Sequence, residues 1–258
     1  MHFVDKKTTK APAKLEQCHK QWCEYLDNLQ QNPNTAKIDL GEAWNDKEVV
    51  GALATLFQEN CGYCGTLTDK TINRTNNEVY IRNIDHFIPK SRPDGDRLRY
   101  CWTNLIWSCP ACNSGATGKG TYYKPDCMLF NPCNETDTDY LIYNEDTGSY
   151  QLKETYRHDL LLKQRLDVTF KSTTIDDFGK RQSRQREVRD LKESLDWLYK
   201  FRNLPKKKEQ YLQKTIQRIW EENRFILLKK YVVMLFIDTH PQFPYTLIEL
   251  GFNKPKED

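Results

Sequence analysis

Cys61-Gly62-Tyr63-Cys64, Glu78-Val79-Tyr80-Ile81-Arg82-Asn83-Ile84-Asp85-His86 and Cys109-Pro110-Ala111-Cys112-Asn113 together decide how this chain folds. Each C-x2-C pair presents two thiolates across a tight turn, Gly62-Tyr63 in the first and Pro110-Ala111 in the second. Two such turns brought together make the tetrahedral sulfur cage that Zn2+ prefers. Four thiolates leave no open position for water, so Cys61, Cys64, Cys109 and Cys112 are expected to hold a structural zinc. Between the pairs, Val79 and Ile81 share one face at period two. This predicts a strand from Glu78 to Ile84 that delivers its end onto Asp85-His86.

Pro89-Lys90-Ser91 and the turn-prone Arg92-Pro93-Asp94-Gly95-Asp96 follow. Tyr100-Cys101-Trp102-Thr103-Asn104-Leu105-Ile106 then leads to the second knuckle and on to Gly118-Lys119. In this order the segment resembles the HNH endonuclease superfamily: an Asp-His at a strand end, an Asn before an apolar pair, and an Asn or His just after the last knuckle cysteine. The resemblance implies metal-dependent hydrolysis of a phosphodiester. Such a reaction needs a water deprotonated near neutral pH, and an imidazole with an unperturbed pKa of about 6.5 suits that task, which makes His86 the expected general base. Charge crowding on phosphorus and on the leaving oxygen calls for a hard cation with oxygen ligands, and Asp85 and Asn113 offer a carboxylate and an amide to Mg2+ or Mn2+. Asn104 would tie down the loop between strand and helix. Lys90 and Lys119 are candidate phosphate contacts, although Ala116 stands where many relatives carry a basic residue. Asp85 and His86 are consecutive, so on an extended strand they leave on opposite faces, and convergence on one phosphate requires a bend there.

The four cysteines alone suit a non-catalytic zinc adaptor as well as an enzyme; Asp85-His86, Asn104 and Asn113 in family order favour the nuclease. The expected substrate is nucleic acid. These residues grip a phosphate and none reads the sugar, so DNA and RNA, including transfer RNA, both remain open.

The 258 residues are 38% hydrophobic and 29% charged, an ordinary globular composition. No apolar run approaches the roughly 20 residues that cross a bilayer, and Met1 to Lys7 lack an apolar signal core, so a cytoplasmic protein is expected. A net charge of +3 is too small to announce a nucleic-acid partner by itself. Nine cysteines suit a reducing compartment if four hold zinc. Cys18, Cys23, Cys101, Cys127 and Cys133 are expected as small buried core residues.

Residues 1 to about 11 read as a poorly ordered lead. A helix is predicted from Pro12 to Asn32 with Leu15, Cys18, Trp22, Tyr25, Leu26 and Leu29 on its apolar face, and a second from an Asn45 cap with Glu48 completing a capping box. Tyr140 to Tyr143 and Tyr150 to Leu152, joined through Asn144 to Gly148, predict a hairpin. Further on, Leu160, Leu161, Leu162 and Leu166 suit one helix, and Val188, Leu191, Leu195 and Leu198 another. Pro205 opens a third that is expected to continue through Leu235. Lys180, Arg181, Arg184, Arg186 and Arg189 read as a solvated basic face. The expected fold is therefore α+β, a small zinc-stapled ββα-metal core in a mostly helical protein. Its parts are an N-terminal helical segment (1–44), the nuclease core (45–155) and a C-terminal helical region (156–258).

The segments Cys61-Gly62-Tyr63-Cys64, Asp85-His86-Phe87-Ile88-Pro89-Lys90-Ser91, Trp102-Thr103-Asn104-Leu105, Cys109-Pro110-Ala111-Cys112-Asn113 and Asn131-Pro132-Cys133 also resemble, in order, the HNH nuclease subunit of Septu-type antiphage systems, the PtuB family, which accompanies some retrons as well. That resemblance implies a partner ATPase of the ABC/SMC type, with the C-terminal helices as the nominated docking region.

Overall fold

Helix α1 (Ala13–Gln31) begins after Pro12, stops at Asn32, and buries Leu15, Cys18 and Trp22. The computed structural model to which it belongs describes residues 1, 3–68, 70–72, 78–113, 128–220 and 224–252. Ala116, Lys119 and Cys127 lie outside the described residues. The chain ahead of α1 is not a loose lead. The Val4 amide donates to the Pro132 carbonyl, and Met1, Val4 and Lys6 are buried. The Lys6 ammonium lies 4.6 Å from the Trp102 ring centroid and donates to the carbonyls of Trp102 and Leu105. Burial lowers its pKa to about 8.

Helix α2 (Lys47–Phe57) is capped by Asp46, whose carboxylate accepts from the Glu48 amide, whereas Asn45 belongs to a preceding 3-10 turn, Ala43–Asn45. Asn45 is thus not the cap. Val49, Leu53 and Phe57 form the buried stripe, and Gln58 in the left-handed region ends the helix just ahead of the first knuckle.

The strand expected from Glu78 to Ile84 is broken. Strands β1 (Lys70–Ile72) and β2 (Glu78–Tyr80) pair antiparallel, and after Ile81-Arg82 the chain re-enters an extended conformation as β3 (Asn83–His86). Ile81 is half exposed, so it does not continue an apolar face. A short helix α3 (Pro93–Arg97) leads to β4 (Leu105–Ser108), fully buried and antiparallel to β3. Helix α4 (Pro110–Asn113) carries the second knuckle and packs on β3. After α5 (Glu135–Asp139), strands β5 (Leu141–Asn144) and β6 (Ser149–Leu152) form the expected hairpin. At its turn Gly148 has φ +68°, and a Cβ there would lie 2.4 Å from the Arg181 carbonyl oxygen, so only glycine lets the following helices approach this closely.

Helix α6 (Leu160–Ser172) buries Leu162, but Leu160 and Leu161 face solvent and are not part of its core stripe. Helix α7 (Phe178–Lys200) buries Val188, Leu191, Leu195 and Leu198 as their spacing predicts. The predicted third helix is two: α8 (Pro205–Trp220) and α9 (Ile226–Thr239). Phe225, at φ +54°, starts α9, and its amide donates to the Gly65 carbonyl beside the first knuckle. Long-range pairing of that kind overrides a continuous apolar pattern. The fold is α+β and mostly helical, with three two-stranded sheets among the described residues. One apolar core runs from Met1 to Phe252. Among the non-knuckle cysteines described, Cys18 is buried, whereas Cys23, Cys101 and Cys133 are only half-buried and less enclosed than expected.

Candidate active site and thiol cage

The knuckle turns bring Cys61, Cys64, Cys109 and Cys112 together, buried, with all four sulfurs within 4.8 Å of one another. Metal–sulfur bonds of about 2.3 Å in a tetrahedron give sulfur–sulfur edges of about 3.8 Å. Cys64 Sγ and Cys109 Sγ are 3.7 Å apart. The cage therefore has the size and the soft donor set for a tetrahedral ion. Mutual hydrogen bonding among the crowded thiols splits their acidities. The bonds from Cys112 and Cys61 help bring Cys109 down to about 7, while burial pushes Cys61 far up.

Positive charge reaches this cage from the sequence-distant α7. Lys180 Nζ lies 3.3 Å from Cys64 Sγ and 4.0 Å from Cys109 Sγ, and donates to Thr174 Oγ1. Burial alone would lower its pKa, yet the Cys64, Cys112 and Cys109 thiolates hold it well above its ordinary value. The Thr174 amide approaches Cys112 Sγ at 3.4 Å. Arg184 is fully buried and donates to the carbonyls of Gly148 (2.9 Å), Ile175 (2.7 Å) and Cys64 (3.5 Å). Lys180 and Arg184 thus do not belong to a solvated face. Both carry positive charge into the knuckle, where sulfur and carbonyl oxygen accept it.

Asp85 and His86 lie side by side within β3, opposite Ile106 and Leu105 of β4. The ladder is regular through both, so the expected bend does not fall between them. Their described contacts diverge as strand alternation requires. The Asp85 carboxylate, 4% exposed, accepts from the Tyr63 hydroxyl at 2.6 Å, which links it to the first knuckle. Burial and the Asp85 charge hold Tyr63 well above the usual phenol pKa, so it remains a neutral donor. The His86 ring, 8% exposed, meets the edge of Trp44 at 5.0 Å, and its Nε2 lies 2.8 Å from the Arg99 carbonyl oxygen. A carbonyl can only accept, so in the neutral ring Nε2 carries the hydrogen and Nδ1 is the basic nitrogen.

Asn104 fixes the segment that supplies that carbonyl. Its Oδ1 accepts from the Ile88 amide at 2.8 Å, and its Nδ2 donates to the Ile88 carbonyl (3.1 Å) and the Leu98 carbonyl (3.3 Å). Both ends of the Ile88–Leu98 loop are thereby held, one residue short of Arg99. Within the loop, Gly95 packs so tightly that a Cβ would stand 2.1 Å from the Pro89 carbonyl oxygen. Helix α1 braces the outside: Trp22 Nε1 donates to the Asp96 carbonyl at 2.9 Å, and Asp27 pairs with Arg97 at 2.7 Å. Lys90 Nζ sits 4.2 Å over the Trp44 ring that also touches His86, and partial burial lowers its pKa. Asn113 ends α4 against β3, and Lys119 lies outside the described residues.

The structure therefore places His86, Asn104 and Lys90 around one loop, and the Asp85 carboxylate on the other face of β3, towards Tyr63. Trp44, Tyr63, Arg99 and Lys180 were not singled out as functional residues from sequence. Tyr63, inside the knuckle and two residues after Cys61, was the one within reach of local pattern.

Residues 61–119, which hold this hairpin, its loop-tying Asn and both knuckles, match the HNH endonuclease family. The chain also resembles the Septu protein PtuB of Bacillus mycoides (strain KBAB4), at 29% identity covering 44% of each chain. It thus spans less than half the length of that relative. No solved structure matches it. Among the described residues no helix is long and apolar enough to cross a membrane.

Proposed function

We propose that the protein is a metal-dependent HNH endonuclease that hydrolyses phosphodiester bonds of nucleic acid, working in a Septu-type antiphage complex beside an ABC/SMC-type, PtuA-like ATPase, in some settings within a retron system. The observation that carries the reading is the bond between His86 Nε2 and the Arg99 carbonyl, because it fixes the orientation and tautomer of the imidazole in a buried, braced ring. His86 takes the proton of the attacking water. Asn104 positions it through the Ile88–Leu98 loop, and Lys90 offers a cation beside the same indole to the substrate phosphate.

Asp85 and Asn113 would hold a divalent ion such as Mg2+ or Mn2+, which supplies charge neutralisation at phosphorus and at the leaving oxygen. Oxygen donors on a carboxylate and an amide fit a hard cation, and the Tyr63 hydroxyl orients the carboxylate. The four-thiol cage fits Zn2+ and in this reading is structural: it seats α4 and Tyr63 against the hairpin. Lys119 remains a candidate phosphate contact. PtuB similarity supports the defence setting, and the partner ATPase would dock on the C-terminal helices.

The test is cleavage of plasmid DNA and of total RNA by the chain co-purified with such an ATPase, with and without magnesium. Magnesium-dependent cleavage of either substrate is expected, and the cleaved polymer names the substrate. No cleavage of either with the partner present would leave a zinc adaptor as the better account.

A further inference from the structure

Where α7 ends and α8 begins, three aromatic rings lie nearly parallel. Trp197 and Phe201 have centroids 5.5 Å apart at 5°, Phe201 and Tyr211 5.0 Å at 12°, and Trp197 and Tyr211 5.9 Å at 11°. Three centroids this close to one another cannot form a linear stack, whose outer rings would lie much farther apart. The rings are offset, and together they tile a platform. Most other ring pairs among the described residues are tilted or edge-on, as Trp22 with Tyr25 at 40° and Tyr143 with Tyr150 at 63°, and Phe236 stacks on His240 at 11° as an isolated pair. Three parallel rings in one place align their faces in one direction.

The platform is also basic. Lys200 Nζ lies 4.8 Å from the Trp197 centroid, Lys207 Nζ 4.6 Å from that of Phe201, and Lys214 Nζ 5.5 Å from that of Tyr211. None of these lysines makes an ion pair among the described residues. The neighbouring acids turn elsewhere: Asp196 lines the groove beside Tyr143, and Glu209 lies towards Tyr245. Leu195 and Leu198 of α7 and Ile219 of α8 are fully buried, whereas the three platform rings are not. Trp197 is 37% exposed, so part of its indole is open to solvent.

We propose that this platform binds unpaired nucleobases of a single-stranded nucleic acid, with its lysines taking the flanking phosphates. Every base has a π-face, so stacking on aromatic rings is tolerant of sequence, and an ammonium poised over a ring can exchange that contact for a phosphate. Trp197 lies 17 residues along α7 from Lys180 at the knuckle, about 25 Å of helix. The platform is therefore a nucleic-acid contact apart from the thiol cage; it extends the proposed nuclease reading, and binding there does not depend on cutting.

The test measures fluorescence anisotropy of a short labelled oligonucleotide with the full chain, no divalent ion added, in three arms: single-stranded DNA, single-stranded RNA of the same sequence, and the DNA duplex. Single strands of at least one sugar should bind more tightly than the duplex. Trp197→Leu, which keeps apolar bulk but loses the stacking face, should weaken single-strand binding about tenfold, and Trp197→Phe should restore most of it. Lys207→Glu, at an exposed position, should weaken binding and flatten its salt dependence. Unchanged single-strand affinity in both Trp197→Leu and Lys207→Glu, each with the wild-type circular dichroism, would overturn the proposal, as would a duplex bound as tightly as the single strands. An inactive hydrolytic site would alter none of these readings.

Discussion

The two ends of α7 carry similar side chains and use them in opposite ways. In the first turns Lys180 and Arg184 point into the protein, onto thiol sulfur and three backbone carbonyls. In the last turn Trp197 and Lys200 stay at the surface, ring beside ammonium. What differs is the acceptors brought by distant parts of the chain. The cage gathers enough negative charge to hold a buried ammonium, whereas among the described residues the Lys200 ammonium at the far end meets aromatic faces, a contact it can exchange for an incoming anion. A cation on a helix is thus structural or functional according to what the fold places opposite it.

The comparison can be broken at several strengths. Cys112→Ser should act most severely: apparent zinc affinities in small domains reach about 10–16 kcal/mol, so the variant should lose its zinc and its cooperative urea transition. A metal-free variant that unfolds as the wild type does would refute a structural cage. Arg184→Leu leaves three carbonyls in a buried site without their donor, and should lower unfolding free energy by about 3 kcal/mol by urea titration. Lys180→Met should fold and bind zinc but release it severalfold faster to a chelator, because the ammonium no longer offsets thiolate charge. At the other end of the helix, Trp197→Leu should change stability by no more than about 0.5–1 kcal/mol. If it proved as damaging as Arg184→Leu, the contrast between the two ends would disappear.

Features set by neighbours in sequence were legible in the chain. The paired knuckles, α1 with its stop at Asn32, the β5–β6 hairpin and the stripe Val188, Leu191, Leu195 and Leu198 follow from local spacing. What escaped depends on contacts made across the chain. Arg184 bonds a carbonyl 120 residues away, and Lys180 reaches a sulfur 116 residues away, so a basic run looks the same whether it faces solvent or a cage. Phe225 breaks the apolar pattern between α8 and α9 because its amide is claimed by Gly65. Lys6 orders the lead by filling carbonyls of the β4 region. The positioning of His86 was equally hidden: the order Asp-His, Asn, Cys-x2-Cys suggests the residues, but only the fold brings the Arg99 carbonyl to the imidazole.

That imidazole carries the central claim. The most direct measurement is the magnesium-dependent cleavage rate of His86→Ala against wild type, with zinc content and unfolding followed on the same preparations. Loss of a general base should lower the rate by about 10²–10⁴-fold while zinc content stays unchanged and unfolding stays cooperative, at a lower midpoint because the buried ring's contacts are lost. Cleavage at the wild-type rate by a folded, zinc-loaded His86→Ala would contradict the account.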